Sequence, residues 1–197
     1  MISTQVGGGA GSTTFSDARE TLSTNLYVDW DRAEAPLTDV AARTVEVASE
    51  LLGETIPYEA QEPINYLFYK AGYEYKPHTD GSGGRPGKRV ATTLVYCHAA
   101  DRGGATVFTG PKGLRFVPRD GDLLFFEYKH GGRDTTHAAC PVAKGDKSTL
   151  TMWHRLGVTP DEPWDRFESW GAFDHPHLAS RYTAPPYRER VTDAADL

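Results

Sequence analysis

Residues 147–153 read Lys147-Ser148-Thr149-Leu150-Thr151-Met152-Trp153, and their alternation decides the fold. In a strand, successive side chains point to opposite faces. Lys147, Thr149, Thr151 and Trp153 therefore share one face, and Leu150 and Met152 share the other. Such a strand separates a polar interior from an apolar side that a helix can cover.

That helix is present upstream. Between Ala35 and Gly53, apolar residues Leu37, Val40, Ala41, Val45, Ala48 and Leu52 recur at helical spacing, with Pro36 in the first turn and Gly53 as the stop. Short strand candidates follow, separated by Gly, Pro and Asp: 63–70, 88–97, 105–109, 114–117, 122–128, 135–139 and 148–155. Many short strands so punctuated indicate a sandwich or barrel. The expectation is a mainly β chain with supporting helices (α+β): a double-stranded β-helix, or jelly roll, with an amphipathic helix on its outer sheet. A single domain over 1–197 is expected, with its core about 60–156 and a Pro- and aromatic-containing extension over 157–197.

Composition narrows the function. The chain has 197 residues, 39% hydrophobic and 24% charged, with a formal net charge of -6. Binding nucleic acid calls for clustered cations, and the one short basic cluster, Arg85 to Arg89, is Gly-rich. No apolar run reaches the length of a membrane span, and the Gly/Ser/Thr-rich start is unlike a signal peptide, so a cytoplasmic address is expected. Cys97 and Cys140 read as free thiols.

The chemistry-bearing residues are His78-Thr79-Asp80, His137 and Lys147. Two imidazoles and a carboxylate are the facial ligand set of non-haem iron(II) and leave coordination positions open. Read as a strand, His78-x-Asp80 puts both ligands on one face. Taken singly, each residue has a plainer reading: a solvated loop pair, a core histidine, a strand-edge charge. Their order and spacing together favour a site. A buried ammonium at Lys147 then needs an anionic partner, which a dicarboxylate would supply. His130 competes with His137 as distal ligand, but lies beside Gly131-Gly132 and reads as a rim residue; His175-Pro176-His177 looks like a ligand pair and reads as a coincidence of sequence.

From Tyr69 to Arg155 the chain resembles the catalytic core of iron(II)/2-oxoglutarate-dependent dioxygenases of the prolyl 4-hydroxylase type. The motif residues are Tyr69, Gly72, Tyr75, Pro77, His78 and Asp80. They continue through the run Arg89 to Tyr96, Gly103-Gly104-Ala105-Thr106, Pro118 to Asp122, and His137 with Pro141, Gly145 and Lys147. The resemblance implies that His78, Asp80 and His137 bind Fe(2+), with Lys147 completing the catalytic set by pairing with the distal carboxylate of 2-oxoglutarate. It also implies that Tyr69, Tyr96 and Thr151 support that co-substrate, O2 being the other, with L-ascorbate a further candidate cofactor. Arg89, Trp153 and Arg155 are the candidate substrate residues. A carboxylate at position 80 favours hydroxylation over halogenation. The expected substrate is a prolyl residue of a protein or peptide, with release of succinate and CO2. The alternatives are a free amino acid or other small metabolite, and a non-catalytic sensor of metal and 2-oxoglutarate. No nucleic-acid or membrane partner is expected, and the oligomeric state is left open.

Overall fold

The computed structural model describes residues 2–3, 21–81, 87, 89–110, 113–128 and 135–164. His130, His175, His177 and the aromatic positions beyond Trp164 lie outside the described residues.

The strand that opened the sequence reading is β12, Lys147–Arg155. It sits inside a six-stranded sheet ordered β1-β2-β3-β12-β5-β9, where β1 is Ile2–Ser3, β2 Leu22–Leu26, β3 Ile64–Tyr69, β5 Arg89–His98 and β9 Leu123–Glu127. A second sheet is ordered β4-β10-β7-β8, from Tyr75–His78, His137–Ala139, Thr106–Phe108 and Leu114–Phe116. A short ladder joins β11 (Val142–Lys144) to β6 (Arg102–Gly103). Every strand pair is antiparallel. The result is the expected double-layered jelly roll with one described helix.

That helix, α1, runs Pro36–Leu52. Ala35 enters it in an extended conformation, and Pro36 suits the first turn, where an amide hydrogen would have no helical partner. Gly53 ends it at φ 71°, a left-handed conformation glycine adopts without a Cβ penalty, and its amide donates to the carbonyls of Ser49 and Glu50. Ala41, Val45 and Ala48 pack against Ile64, Leu150 and Met152, so the apolar face of β12 meets the apolar stripe of α1. The two alanines let the helix backbone approach the sheet. Burying one leucine-sized side chain is worth about 2 kcal/mol, so Leu150 and Met152 fix which face of β12 points inward.

Register then places the polar face. Lys147 lies opposite Tyr69 of β3, and Thr149 lies opposite Tyr96 of β5. In the smaller sheet His137 lies opposite both His78 and Phe108. The Tyr96 hydroxyl meets the Thr106 hydroxyl at 2.7 Å, a hydrogen bond that ties the two layers together.

Strands β1, β2, β6 and β11 were not anticipated, and β4 was read as a strand only around its ligand pair. β4 carries no apolar alternation, and β6 and β11 are only two and three residues long. Asp80 also departs from expectation, because β4 ends at His78 and the carboxylate projects from the loop that follows.

Candidate metal and co-substrate site

The metal-ligand candidates converge from three places. His78 ends β4, His137 begins β10 on the neighbouring strand, and Asp80 hangs over both. His78 Nε2 lies 3.5 Å from Asp80 Oδ1, and His137 Nε2 lies 3.7 Å from Asp80 Oδ2. One ligand atom from each of the three residues falls within 4.8 Å of the others, close enough for a single ion to span them.

The far side of each imidazole is already committed. His78 Nδ1 donates to the Lys76 carbonyl at 2.8 Å, and His137 Nδ1 donates to the Thr135 carbonyl at 2.9 Å. Each bond reaches two residues back along the chain, and each fixes the tautomer that leaves the Nε2 lone pair facing Asp80. Burial lowers the His137 pKa, against an opposing pull from Asp80, and so favours the neutral imidazole that a metal needs. For Asp80, burial alone would favour the neutral acid. A hydrogen bond from His78, the positive charge of His137 and His78 when these rings are protonated, and a hydrogen bond from Thr92 outweigh it and hold the carboxyl well below the usual range. Thr92 Oγ1 donates to Asp80 Oδ2 at 2.8 Å, and the Tyr128 hydroxyl backs Thr92 in turn. A donor set of two neutral imidazoles and one carboxylate, with outer hydrogen bonds in place, fits a divalent iron ion.

An open cavity of about 440 Å³ leads from this cluster between the sheets to Lys147. Lys147 is buried, with Nζ donating to the Gly104 carbonyl at 2.8 Å and lying 5.2 and 5.3 Å from the ring centres of Tyr69 and Tyr96. Burial pushes its pKa down to about 8, with Cys140 opposing the shift. The wall between Lys147 and the histidines carries the buried hydroxyls of Thr149 and Thr151 and the indole nitrogen of Trp153, and these three atoms have no hydrogen-bond partner. Buried polar atoms are rarely left unpaired, and three in a row beside a buried cation mark where a polar, anionic ligand belongs.

The expected site residues thus divide. His78, Asp80, His137, Lys147, Tyr69, Thr151 and Trp153 line the cavity, and Tyr96 stands behind it with its hydroxyl turned to Thr106. Arg89 and Arg155 do not line it. Arg155 is fully buried and reaches Glu62, so it offers no surface to a substrate; Arg89 stacks on Trp153 with its guanidinium 3.9 Å from the ring centre. Thr149, Thr92 and Tyr128 were missed. Thr149 was legible in principle, since it alternates with Lys147 and Thr151, whereas Thr92 and Tyr128 meet Asp80 only through the β5–β9 pairing. A second groove lies toward α1, bordered by Tyr27, Trp30, Tyr58 and Trp153, but the metal-ligand cluster faces the cavity between the sheets.

Comparison with known proteins agrees with this geometry. Residues 64–155 match the family model of the 2OG-Fe(II) oxygenase superfamily. Members of the superfamily use Fe(2+), 2-oxoglutarate and O2. Within the superfamily the segment is similar to prolyl 4-hydroxylases. It is 34% identical over 129 residues to a probable prolyl 4-hydroxylase 3 of Arabidopsis thaliana, covering 52% of this chain and 45% of that protein. It is also 34% identical over 129 residues to a prolyl 4-hydroxylase subunit alpha-1 of Caenorhabditis elegans, covering 57% and 23%. The chain thus spans less than half the length of these relatives. Among solved structures, a viral collagen prolyl hydroxylase of Paramecium bursaria Chlorella virus 1 superposes with a TM-score of 0.55 at 23% identity, covering 71% of this chain and 80% of that one. A prolyl hydroxylase of Trichoplax adhaerens, solved with a hypoxia inducible factor peptide fragment, gives 0.58 at 19% identity, covering 75% and 69%. Both likenesses speak to the fold.

Proposed function

We propose that this protein is an iron(II)- and 2-oxoglutarate-dependent dioxygenase that hydroxylates a prolyl residue of a protein or peptide. The observation that carries the reading is the buried Lys147 ammonium facing a row of unpartnered hydroxyls that ends at the two-histidine, one-carboxylate cluster. A dicarboxylate fits that run, with one end on the cation and the other at the metal.

His78, Asp80 and His137 would hold the iron. When bound, iron with 2-oxoglutarate and dioxygen supplies the oxidising power that replaces a substrate C–H by C–OH, releasing succinate and CO2. The protein's own groups do the rest. Lys147 neutralises the distal carboxylate, and a buried, desolvated cation does this far better than an exposed one. Thr149 and Thr151 donate hydroxyls along the wall, and the Tyr69 and Tyr96 rings keep water from the ammonium. The Thr92–Tyr128 pair holds one Asp80 oxygen, leaving the other free to turn to the metal.

A prolyl substrate is supported by the likeness to prolyl 4-hydroxylases, and it extends what those names say to this chain. L-Ascorbate is carried over on the same ground as an accessory reductant. A cytoplasmic address is supported by Cys97 and Cys140, both free thiols of the kind a reducing compartment keeps. No helix among the described residues is long and apolar enough to cross a membrane.

Anaerobic titration of metal-free protein with iron(II) and then 2-oxoglutarate tests the site. A visible charge-transfer band is expected in the wild type, absent in His137→Ala and weak in Lys147→Ala. Iron binding without a band would overturn the co-substrate assignment. Succinate release with proline-rich peptides, set against release with free amino acids, tests the substrate. Stimulation by free amino acids alone would replace the peptide reading with the metabolite one.

A further inference from the structure

A second, largely buried charge cluster lies behind the metal ligands. Glu62, just before β3, accepts hydrogen bonds from Arg89 Nε at 2.6 Å and Arg89 Nη2 at 2.5 Å, and on its other flank from Arg155 Nε at 2.7 Å, with Arg155 Nη2 in ion-pair contact at 2.7 Å. One carboxylate therefore holds two guanidinium groups from the ends of two neighbouring strands, β5 and β12. Each arginine also turns Nη1 to a backbone carbonyl. Arg89 Nη1 donates to the Asp80 carbonyl at 2.9 Å, and Arg155 Nη1 donates to the Gly87 carbonyl. Gln61 braces the arrangement by exchanging two hydrogen bonds with the Arg155 backbone, at 2.8 and 3.0 Å.

One fully buried and one largely buried arginine on a single acid would be an expensive way only to close a sheet end, since apolar residues of similar volume serve as well or better. Arg89 Nη1 thus reaches the backbone of Asp80 itself, and Arg155 Nη1 that of Gly87. The planar fork of arginine suits this task, because one edge pairs with the carboxylate while the other reaches a carbonyl in fixed geometry. Asp80 lies beyond the end of β4, so no ladder hydrogen bond of that strand holds it.

We infer that Glu62 is a positioning residue for the metal site: through Arg89 it sets the backbone of Asp80. The inference rests on the proposed reading of His78, Asp80 and His137 as metal ligands. It needs no contact between Glu62 and substrate, co-substrate or metal. Outer groups that orient a ligand commonly change metal affinity about 10- to 100-fold when removed.

The test uses the metal-free full chain titrated anaerobically with cobalt(II), whose visible spectrum reports coordination geometry. Four proteins are compared: wild type, Glu62→Gln, Arg89→Lys and Val45→Ala. Val45 is buried under α1, so its truncation lowers stability without touching the network. Arg89→Lys keeps a cation for Glu62 but loses the fork that reaches Asp80, and it decides the matter if Glu62→Gln does not fold. The expected result is cobalt binding at least about 10-fold weaker, with an altered spectrum, in Glu62→Gln and Arg89→Lys, while Val45→Ala binds as the wild type does. Unchanged affinity and spectrum in both network variants would overturn the inference alone, leaving the cluster a purely structural one. Failure of the wild type to bind cobalt or iron would overturn the metal reading and this inference with it.

Discussion

Replacing Lys147 by Met should make the metal-free protein more stable while destroying its affinity for 2-oxoglutarate. The side chain is 2% exposed, and burial brings its pKa to about 8 from 10.5. At about 1.4 kcal/mol per pH unit, keeping the ammonium charged inside the folded protein costs about 3 kcal/mol at neutral pH. Methionine has similar length and no charge, so it relieves that cost. It leaves the Gly104 carbonyl without its donor, a loss of about 1 to 2 kcal/mol. The net expectation is a gain of about 1 to 2 kcal/mol, a rise in Tm of a few degrees. The sign of the pH dependence is fixed. Between pH 8 and 10.5 the unfolded chain holds a proton that the folded chain has lost, so wild-type stability rises with pH there. The advantage of Lys147→Met is therefore full below pH 8 and fades as pH approaches 10.5. Co-substrate affinity should fall at least about 100-fold, the consequence of leaving a buried carboxylate unpaired. Urea unfolding of the metal-free proteins from pH 7 to 10, with isothermal titration of 2-oxoglutarate into the iron-loaded ones, measures both. A less stable variant that still binds 2-oxoglutarate would refute the reasoning and make Lys147 a structural donor to Gly104.

Three further outcomes are expected. Thr149→Val removes a buried, unpartnered hydroxyl with little change of shape, so metal-free stability should rise by about 1 kcal/mol and 2-oxoglutarate affinity fall about 5- to 10-fold, read by the same two assays. His154, paired with Thr93 at 2.8 Å, has its pKa pushed by burial to about 4 from 6.5. As pH falls through that window the unfolded chain takes up a proton that the folded chain refuses, so about 3 kcal/mol of stability is lost, and the difference from His154→Gln in acid urea titrations should show it. Gly103 has φ 85°, and a Cβ there would lie 2.3 Å from the Pro141 carbonyl oxygen, so Gly103→Ala should cost at least about 2 kcal/mol; a loss under about 0.5 kcal/mol in urea would contradict the geometry.

The residues that could be read from sequence are those whose neighbours along the chain announce them. The alternation of β12 assigned Lys147 and Thr151 to one face and Leu150 and Met152 to the other, and the apolar stripe of α1 assigned its cover. The ligand candidates were legible because spacing and residue type coincide. What escaped is whatever depends on a distant partner. Glu62 and Arg155 each look like an ordinary charge at a strand end, and only their meeting across the sheet makes both buried. β6 and β11 are too short to carry a period and exist by pairing with each other. Asp80 was placed on a strand because two-residue spacing suits one, yet the chain leaves β4 before reaching it.

The register opposition of His78 and His137 has a mechanical side. β4 is the outermost strand of its sheet, hydrogen-bonded on one side only, and edge strands are the first to open in local fluctuations. An ion held jointly by facing residues on β4 and β10 would act as a rivet through that seam, raising the amide exchange protection of β4 far more than that of strands at the sheet's interior. Metal occupancy would thus be readable in the slow motions of the backbone, without turnover, as the difference between a free edge and a fastened one.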